Sequence, residues 1–270
     1  MQIAGNRILL TGATGGLGRA IATALAERGG SVVLSSRKPE ELRTLAESLP
    51  GGGHSTLVTD LAGTGAAERL AAEATAEGQI DILVANAGLP GSGRLGDFSA
   101  EELARAVRVN LESPMLLAHA LLPAMLERGT GHLLFVSSLA GKAASPRASI
   151  YNATKFGLRG FALALREDLA GDRTGVGVSV VLPGFIRDAG MFADSGASVP
   201  PGVGTSTPEE VAAGVVKAIE RNKAEVAVAP LQQRALAGFA HLFPGIAAWA
   251  QRGGGAKVAD HVARGQSDKR

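Results

Sequence analysis

The chain has 270 residues, 46% of them apolar and 19% charged, with a formal net charge of +2. That suits one large α/β domain whose core is built from Leu, Val, Ile and Ala, since aromatics make up only 4%. The small charge without a basic face argues against nucleic acid. The lack of cysteine excludes disulfides and thiol chemistry, and five scattered histidines offer no metal-ligand spacing.

The N-terminus, MQIAGNRILLTG, runs almost at once into a strand and leaves no room for a signal peptide. No apolar run of about 18 residues suggests a membrane span, so a cytoplasmic protein is expected. RILLT (7–11) reads as a strand ending at glycine, and GLGRAIATALAERG (16–29) as a helix. Strand 31–36, helix 39–49, strand 54–60, helix 64–78 and strand 81–88 follow. The stretch 98–128 is mostly helical, with a capping box at Ser99 and Glu102 and with Pro114 marking a second helix or a bend. Strand 131–138, helix 148–170, strand 176–184, helix 207–221 (Thr207 as N-cap, Pro208 first inside) and strand 224–229 complete the series. The strands are continuous Val/Ile/Leu runs alternating with helices. This predicts an α/β, Rossmann-type doubly wound parallel sheet of about seven strands, with helices on both faces and ligands at the carboxyl ends of the strands.

The turn TGATGGLG (11–18) lies between the first strand and the first helix, with Gly12, Gly16 and Gly18 spaced GxxxGxG. Such a turn lets backbone N–H groups and a helix N-terminus approach a pyrophosphate. No Lys-Ser/Thr follows, so it is not an NTPase loop. At the end of the second strand, where an acidic residue would bind the ribose 2′-OH of NAD, the chain has Ser36 and then Arg37. A guanidinium grips a 2′-phosphate that a carboxylate would repel, which favours NADP(H) over NAD(H).

YNATK (151–155) holds the only tyrosine, one helical turn from Lys155. A nearby ammonium favours phenolate, and with the second positive charge of an oxidised nicotinamide it is expected to lower the phenol's pKa from about 10 towards the working range of a general acid/base.

TGATGGLG, Asp60-Leu61, NAG (86–88), Val109-Asn110, Ser138, YNATK and Pro183-Gly184 occur in an order that resembles the short-chain dehydrogenase/reductase (SDR) family, over about residues 5–230. The resemblance implies hydride transfer between a nicotinamide and a carbonyl or alcohol substrate. It makes Tyr151 the general acid/base and Ser138 the residue that hydrogen-bonds the substrate oxygen. Lys155 would bind the nicotinamide ribose, and Asn110 would hold water in a proton relay. Gly12, Thr14, Gly16, Leu17 and Gly18 would hold the pyrophosphate side, and Ser36 and Arg37 the ribose phosphate. Asp60 and Leu61 would contact the adenine, and Asn86, Ala87 and Gly88 would support the cofactor ribose. Pro183, Gly184 and Ile186 would line the nicotinamide. Two positions depart from the common pattern: Asp188 stands where many members have Thr, and Gly15 where many NADP-preferring members have a basic residue.

Residues 1–230 are thus read as one catalytic domain with a substrate lid at about 185–208, where Met191 and Phe192 face an apolar substrate or anchor the lid. Residues 231–255 are read as a helical extension broken near Pro244, and 256–270 as a flexible tail. The extension could cover the pocket, dock on another subunit or lie on a membrane; its few basic residues weigh against the last. The substrate is a small carbonyl or alcohol, partly apolar, and a homodimer or homotetramer through the long central helices is expected. The rival reading is a catalytically silent NADP(H)-binding sensor on the same fold.

Overall fold

The apolar runs become strands of one seven-stranded, all-parallel sheet in the order β3-β2-β1-β4-β5-β6-β7, in a computed structural model that describes residues 1–193 and 203–250. The strands are β1 (Arg7–Thr11), β2 (Ser31–Ser36), β3 (Ser55–Val58), β4 (Ile82–Ala85), β5 (Gly131–Val136), β6 (Val176–Pro183) and β7 (Glu225–Val228). Several end earlier than the apolar runs suggest. The residues Asn86 to Gly88 and Ser137-Ser138 lie in the turns beyond β4 and β5, where backbone groups leave the ladder and face the cleft.

Alternate residues of each strand feed two cores. Ile8, Leu10, Leu34 and Val84 pack against α1 (Gly16–Glu27), α2 (Pro39–Ser48) and α8 (Pro208–Glu220) through Ile21, Leu25, Leu42 and Val215. Leu9, Leu83, Leu133 and Phe135 pack against α3 (Ala66–Ala76), α5 (Ser113–Arg128) and α6 (Ser149–Gly171) through Leu70, Leu117, Leu121 and Leu158. Two buried faces per strand are why the runs are continuous rather than alternating. The sheet order reverses between β1 and β4, and this switch point opens a crevice at their carboxyl ends.

The helical stretch before β5 starts a second helix at Pro114 as the sequence predicts, and adds a π turn that it does not. α4 (Ala100–Val107) passes into α5 through a π-helical turn, Arg108–Glu112, and Pro114 is accommodated just inside α5. A proline has no N–H and fits the start of a helical segment, and a π turn widens the helix by one residue. As a unit, Ala100–Arg128 is long and apolar enough to cross a membrane by length and composition. Its Leu117, Leu121 and Met125 are buried in the core. The capping boxes at Ser99/Glu102 and Thr207/Glu210 form as the sequence predicts.

α7 (Gly190–Ala193) and α9 (Leu231–Leu242) follow β6 and β7, and the chain is helical again over 244–250, the break falling at Phe243 just before Pro244. Ile186 pairs with Ser206 in an isolated bridge. Residues 194–202 of the proposed lid, the side chain of Phe192 and the tail beyond 250 lie outside the described residues.

His132 on β5 is buried between strands, its Nε2 2.9 Å from Ser179 Oγ on β6. Burial pushes its pKa from 6.5 down to about 3. The unfolded chain then binds a proton that the native chain refuses. This contribution to stability is complete above pH 6.5 and is lost as pH falls from there towards 3. Denaturant unfolding at pH 7 and pH 5 is expected to give a fall about 2 kcal/mol larger for the wild type than for His132→Gln. Equal losses would remove His132 as the cause.

Candidate active site

The glycine turn is closed by contacts that only glycine permits. Gly12 has φ +67°, and a Cβ there would stand 2.8 Å from Ala87 Cα. Gly15 N–H donates to the Gly12 carbonyl at 3.1 Å. The next residues begin α1 with no side-chain cap and no acidic residue in the first turn. Helix-terminal N–H groups left without a carboxylate suit an anion, so the residues present fit a pyrophosphate. Thr14 lends its carbonyl to Arg19 Nε at 3.0 Å, and Leu17 packs on the core beneath.

A residue not singled out from the sequence holds this turn to the next. The Thr11 hydroxyl, 1% exposed, accepts the N–H groups of both Asn86 and Ala87 at 3.1 Å. Asn86 Nδ2 returns the contact to the carbonyls of Thr11 and Gly12 at 3.1 and 3.3 Å. The NAG turn is thereby tied to the glycine turn across the switch point.

At the end of β2, Ser36 Oγ accepts the N–H of Lys38 at 3.2 Å, and Lys38 Nζ pairs with Glu41 at 2.6 Å. Arg37 is exposed and makes no ion pair among the described residues. Asp60 is exposed and caps its own turn through Ala62 N–H at 3.0 Å. Leu61 is buried, and its carbonyl accepts from Ser113 Oγ at 3.0 Å.

The four proposed catalytic residues converge at the carboxyl ends of β4 and β5. Lys155 Nζ, buried, lies 5.7 Å from the centre of the Tyr151 ring and donates to the Val136 carbonyl at 3.0 Å. A Cβ on Gly88 would stand 3.4 Å from Asn110 Oδ1 and 3.7 Å from Lys155 Nζ, which puts both at the NAG turn. Ser138, half-buried, caps its own short turn through Ala140 N–H and hydrogen-bonds with Tyr151. It also reaches the Pro183 carbonyl at 3.4 Å, and Pro183 closes β6.

YNATK is occupied throughout. Thr154 Oγ1 donates to the Tyr151 carbonyl at 2.9 Å and accepts from Asn110 Nδ2 at 3.3 Å. Asn152 Nδ2 fastens the loop after Ser138 through the carbonyls of Ala140 and Ala143, at 2.6 and 3.0 Å. Ser137 Oγ donates to the Lys155 carbonyl at 2.9 Å. Asn110, 0% exposed in the π turn, spends its side chain on Leu89 N–H and C=O and on Thr154. Pro114, four residues on, offers no N–H, so the Asn110 main-chain carbonyl lacks an α-helical partner.

The electrostatics correct one expectation. The phenol of Tyr151 is raised above its ordinary value, because burial outweighs the hydrogen bond from Ser138. Burial also lowers Lys155 to about 8. Both charged forms pay for desolvation, and the ammonium lies over the ring and is bonded to a carbonyl. The protein's own groups thus hold Tyr151 as a neutral proton donor.

The segment after β6 forms the facing wall. Gly184 leaves room for Gln233 Oε1, which accepts Phe185 N–H at 3.1 Å, and Ile186 is buried. Asp188 has φ +69° and pairs with Arg187 at 3.3 Å. A carboxylate so held is not a hydroxyl donor like the common Thr. Ala189 abuts Gly16, and Met191 Cε reaches the NAG turn at Gly88, so the wall spans from Ser138 to the glycine turn. Among the described residues no cluster of His, Cys, Asp or Glu could hold a metal.

A doubly wound parallel sheet with a glycine turn at its switch point and Ser, Tyr, Lys and Asn gathered beside it defines a dinucleotide-dependent enzyme. The family model described as short chain dehydrogenase matches residues 6–199, and the chain belongs to the short-chain dehydrogenase/reductase family of NAD(P)-dependent oxidoreductases acting on CH–OH/C=O groups. It is 38% identical over 229 residues to a ketoacyl reductase, HetN, of Nostoc sp., covering 84% of this chain and 79% of that one. It is 32% identical over 263 residues to a dehydrogenase/reductase SDR family protein 7-like of Anopheles gambiae, covering 91% and 81%. A short-chain dehydrogenase from Sphingobium yanoikuyae in complex with NADPH superposes with a TM-score of 0.76 at 28% identity, covering 86% of this chain and 92% of that one.

Proposed function

We propose that this oxidoreductase uses NADP(H) and works chiefly as a reductase of a partly apolar ketone or aldehyde, with Tyr151 as general acid. The observation that carries the reading is the half-buried, neutral phenol hydrogen-bonded to Ser138 and lying under Lys155. When bound, the nicotinamide supplies or accepts the hydride. Tyr151 Oη gives its proton to the carbonyl oxygen as that oxygen gains charge, and Ser138 Oγ fixes the oxygen by hydrogen bonding. Lys155 holds the ribose hydroxyls and its positive charge eases loss of the phenolic proton. The Asn110 carbonyl holds the water that restores it.

Support for NADP(H) comes from Arg37, a guanidinium at the end of β2 that makes no ion pair among the described residues, with no carboxylate at Ser36. The NADPH-bound relative agrees, and the ketoacyl reductase relative supports a ketone substrate. Cytoplasmic location and homo-oligomerisation belong to the same proposal.

The test is oxidation of NADPH and of NADH against a panel of ketones and aldehydes. Arg37→Asp is expected to raise KM for NADPH by about 30–100-fold, the loss of one or two charge-assisted hydrogen bonds, with NADH within a few-fold. Equal loss for both cofactors would sink the 2′-phosphate assignment. Cofactor binding without turnover on any carbonyl would favour the sensor.

A further inference from the structure

α9 is docked with its polar and small side inward. Gln233 and Ala237 are buried, and Gln233 Nε2 donates to the Gly204 carbonyl at 2.8 Å. The outward side carries the large apolar residues: Leu231 is 74% exposed and Leu242 71%, with Phe239 between them and Leu236 and Phe243 beside the line. The helical residues after Phe243 continue the pattern, with Ile246 and Trp249 exposed and Ala247 buried. Positions 231, 235, 239 and 242 fall on one face of a helix, so this is a continuous apolar surface and not scattered exposure.

The basic residues of the region are few, which from sequence alone weighs against a membrane, but the exposed apolar face and the lack of any acidic residue reverse that balance. Between Glu225 and Asp260 the sequence has no acidic residue, while Arg234, Arg252 and Lys257 are basic. Arg234 is exposed on the flank of the apolar face. A second copy seated face to face would bring arginine to arginine with no carboxylate in the segment to pair them. An anionic lipid surface meets both features, with acyl chains for the apolar side and headgroups for the basic flank. Trp249, the chain's single tryptophan, lies at the end of the patch, as suits an interfacial residue.

We infer that α9 and the helical residues after it form an interfacial face that rests on anionic bilayers, without spanning them. From its buried side, Gln233 ties α9 to the segment after β6 by accepting Phe185 N–H. The inference stands on exposure and charge and is independent of the cofactor and substrate readings.

The full chain is mixed with vesicles of phosphatidylcholine alone or with added phosphatidylglycerol, and flotation and Trp249 emission are followed. Co-flotation and a blue shift are expected, stronger with phosphatidylglycerol and weakened by salt. Leu236→Asp, Phe239→Asp and Leu242→Asp combined are expected to lower the partition coefficient by at least about 100-fold while the circular dichroism and melting temperature stay unchanged. If the variant does not fold, Arg234→Glu alone should still reduce the phosphatidylglycerol preference. Unshifted Trp249 emission and no co-flotation would overturn the inference. So would a blue shift that follows concentration-dependent self-association without lipid, which would assign the face to a second copy.

Discussion

Tyr151→Phe is expected to lower kcat/KM for carbonyl reduction by about 10²–10⁴-fold, the range for losing a positioned general acid, while NADPH affinity stays within a few-fold. The substitution removes one hydroxyl. The ring keeps its place beside Lys155, and the Thr154 and Asn152 hydrogen bonds that shape the turn do not use it. The pH profile carries a second check. Burial raises the phenol above its ordinary value and lowers Lys155 to about 8, so reduction is expected to stay level through neutral pH and to fall first as Lys155 loses its charge, before the phenol itself titrates. Because Tyr151 is the only tyrosine, its phenolate absorbance can be titrated directly, with a midpoint above that of a free phenol expected for the protein alone. A midpoint moving down on adding NADP⁺ would assign the lowering to cofactor charge and not to Lys155. Unchanged turnover in Tyr151→Phe would remove the phenol from the chemistry.

What the sequence reveals about this site depends on whether a residue acts through its neighbours in the chain or across space. The glycine turn, the capping boxes at Ser99 and Thr207 and the one-turn spacing of Tyr151 and Lys155 are local, and the structure forms them as read. Thr11 is different. It sits beside a recognised motif, yet its task is to accept N–H groups from residues 75 and 76 positions away. Thr154 likewise serves Asn110, 44 residues earlier. Hydroxyls are common, and no local pattern marks these two. The position of threonine between a strand and the first glycine is the nearest signal available for Thr11.

Two features of the site depend on packing that the sequence does not show. Pro114 marks the start of α5 as read, but the sequence does not reveal that one extra residue is absorbed in a π turn before it and brings Asn110 inward. The direction of the Tyr151 shift in the protein alone is hidden because spacing gives the ammonium's proximity, whereas the burial of both groups is a matter of tertiary packing, in which the loop at 89–93 takes part. Gly91 in that loop leaves room for the Tyr151 backbone, where a Cβ would come within 2.9 Å of its N. The orientation of α9 was equally hidden, since helical periodicity is the same whichever side faces out.

Gly18→Ala tests whether the glycine turn acts through backbone approach, and its effect should be large in both stability and binding. A Cβ at Gly18 would collide with the Gly12 carbonyl oxygen and stand 2.8 Å from the Ala13 Cα and carbonyl carbon. These are backbone atoms with little freedom. Ala13 N–H is bonded to the Ser35 carbonyl at 3.1 Å, and the Gly12 carbonyl is held by Gly15 N–H and Asn86 Nδ2. The methyl can be admitted only by moving α1 away from the turn. Overpacking of this kind costs about 1–3 kcal/mol, some 5 °C in melting temperature for a chain of this size. It also separates the helix N-terminus from the position a pyrophosphate must take, so NADPH affinity should fall at least about 100-fold. Gly160→Ala in α6 is the matched control. A Cβ there meets nothing within 4 Å, so the same chemical change should stabilise by about 0.5–1 kcal/mol through helix propensity and leave NADPH binding unchanged. Opposite signs from one methyl group at two helical glycines would tie the motif to close backbone approach. Loss of stability with intact NADPH affinity in Gly18→Ala would show that the turn shapes the fold without seating the cofactor.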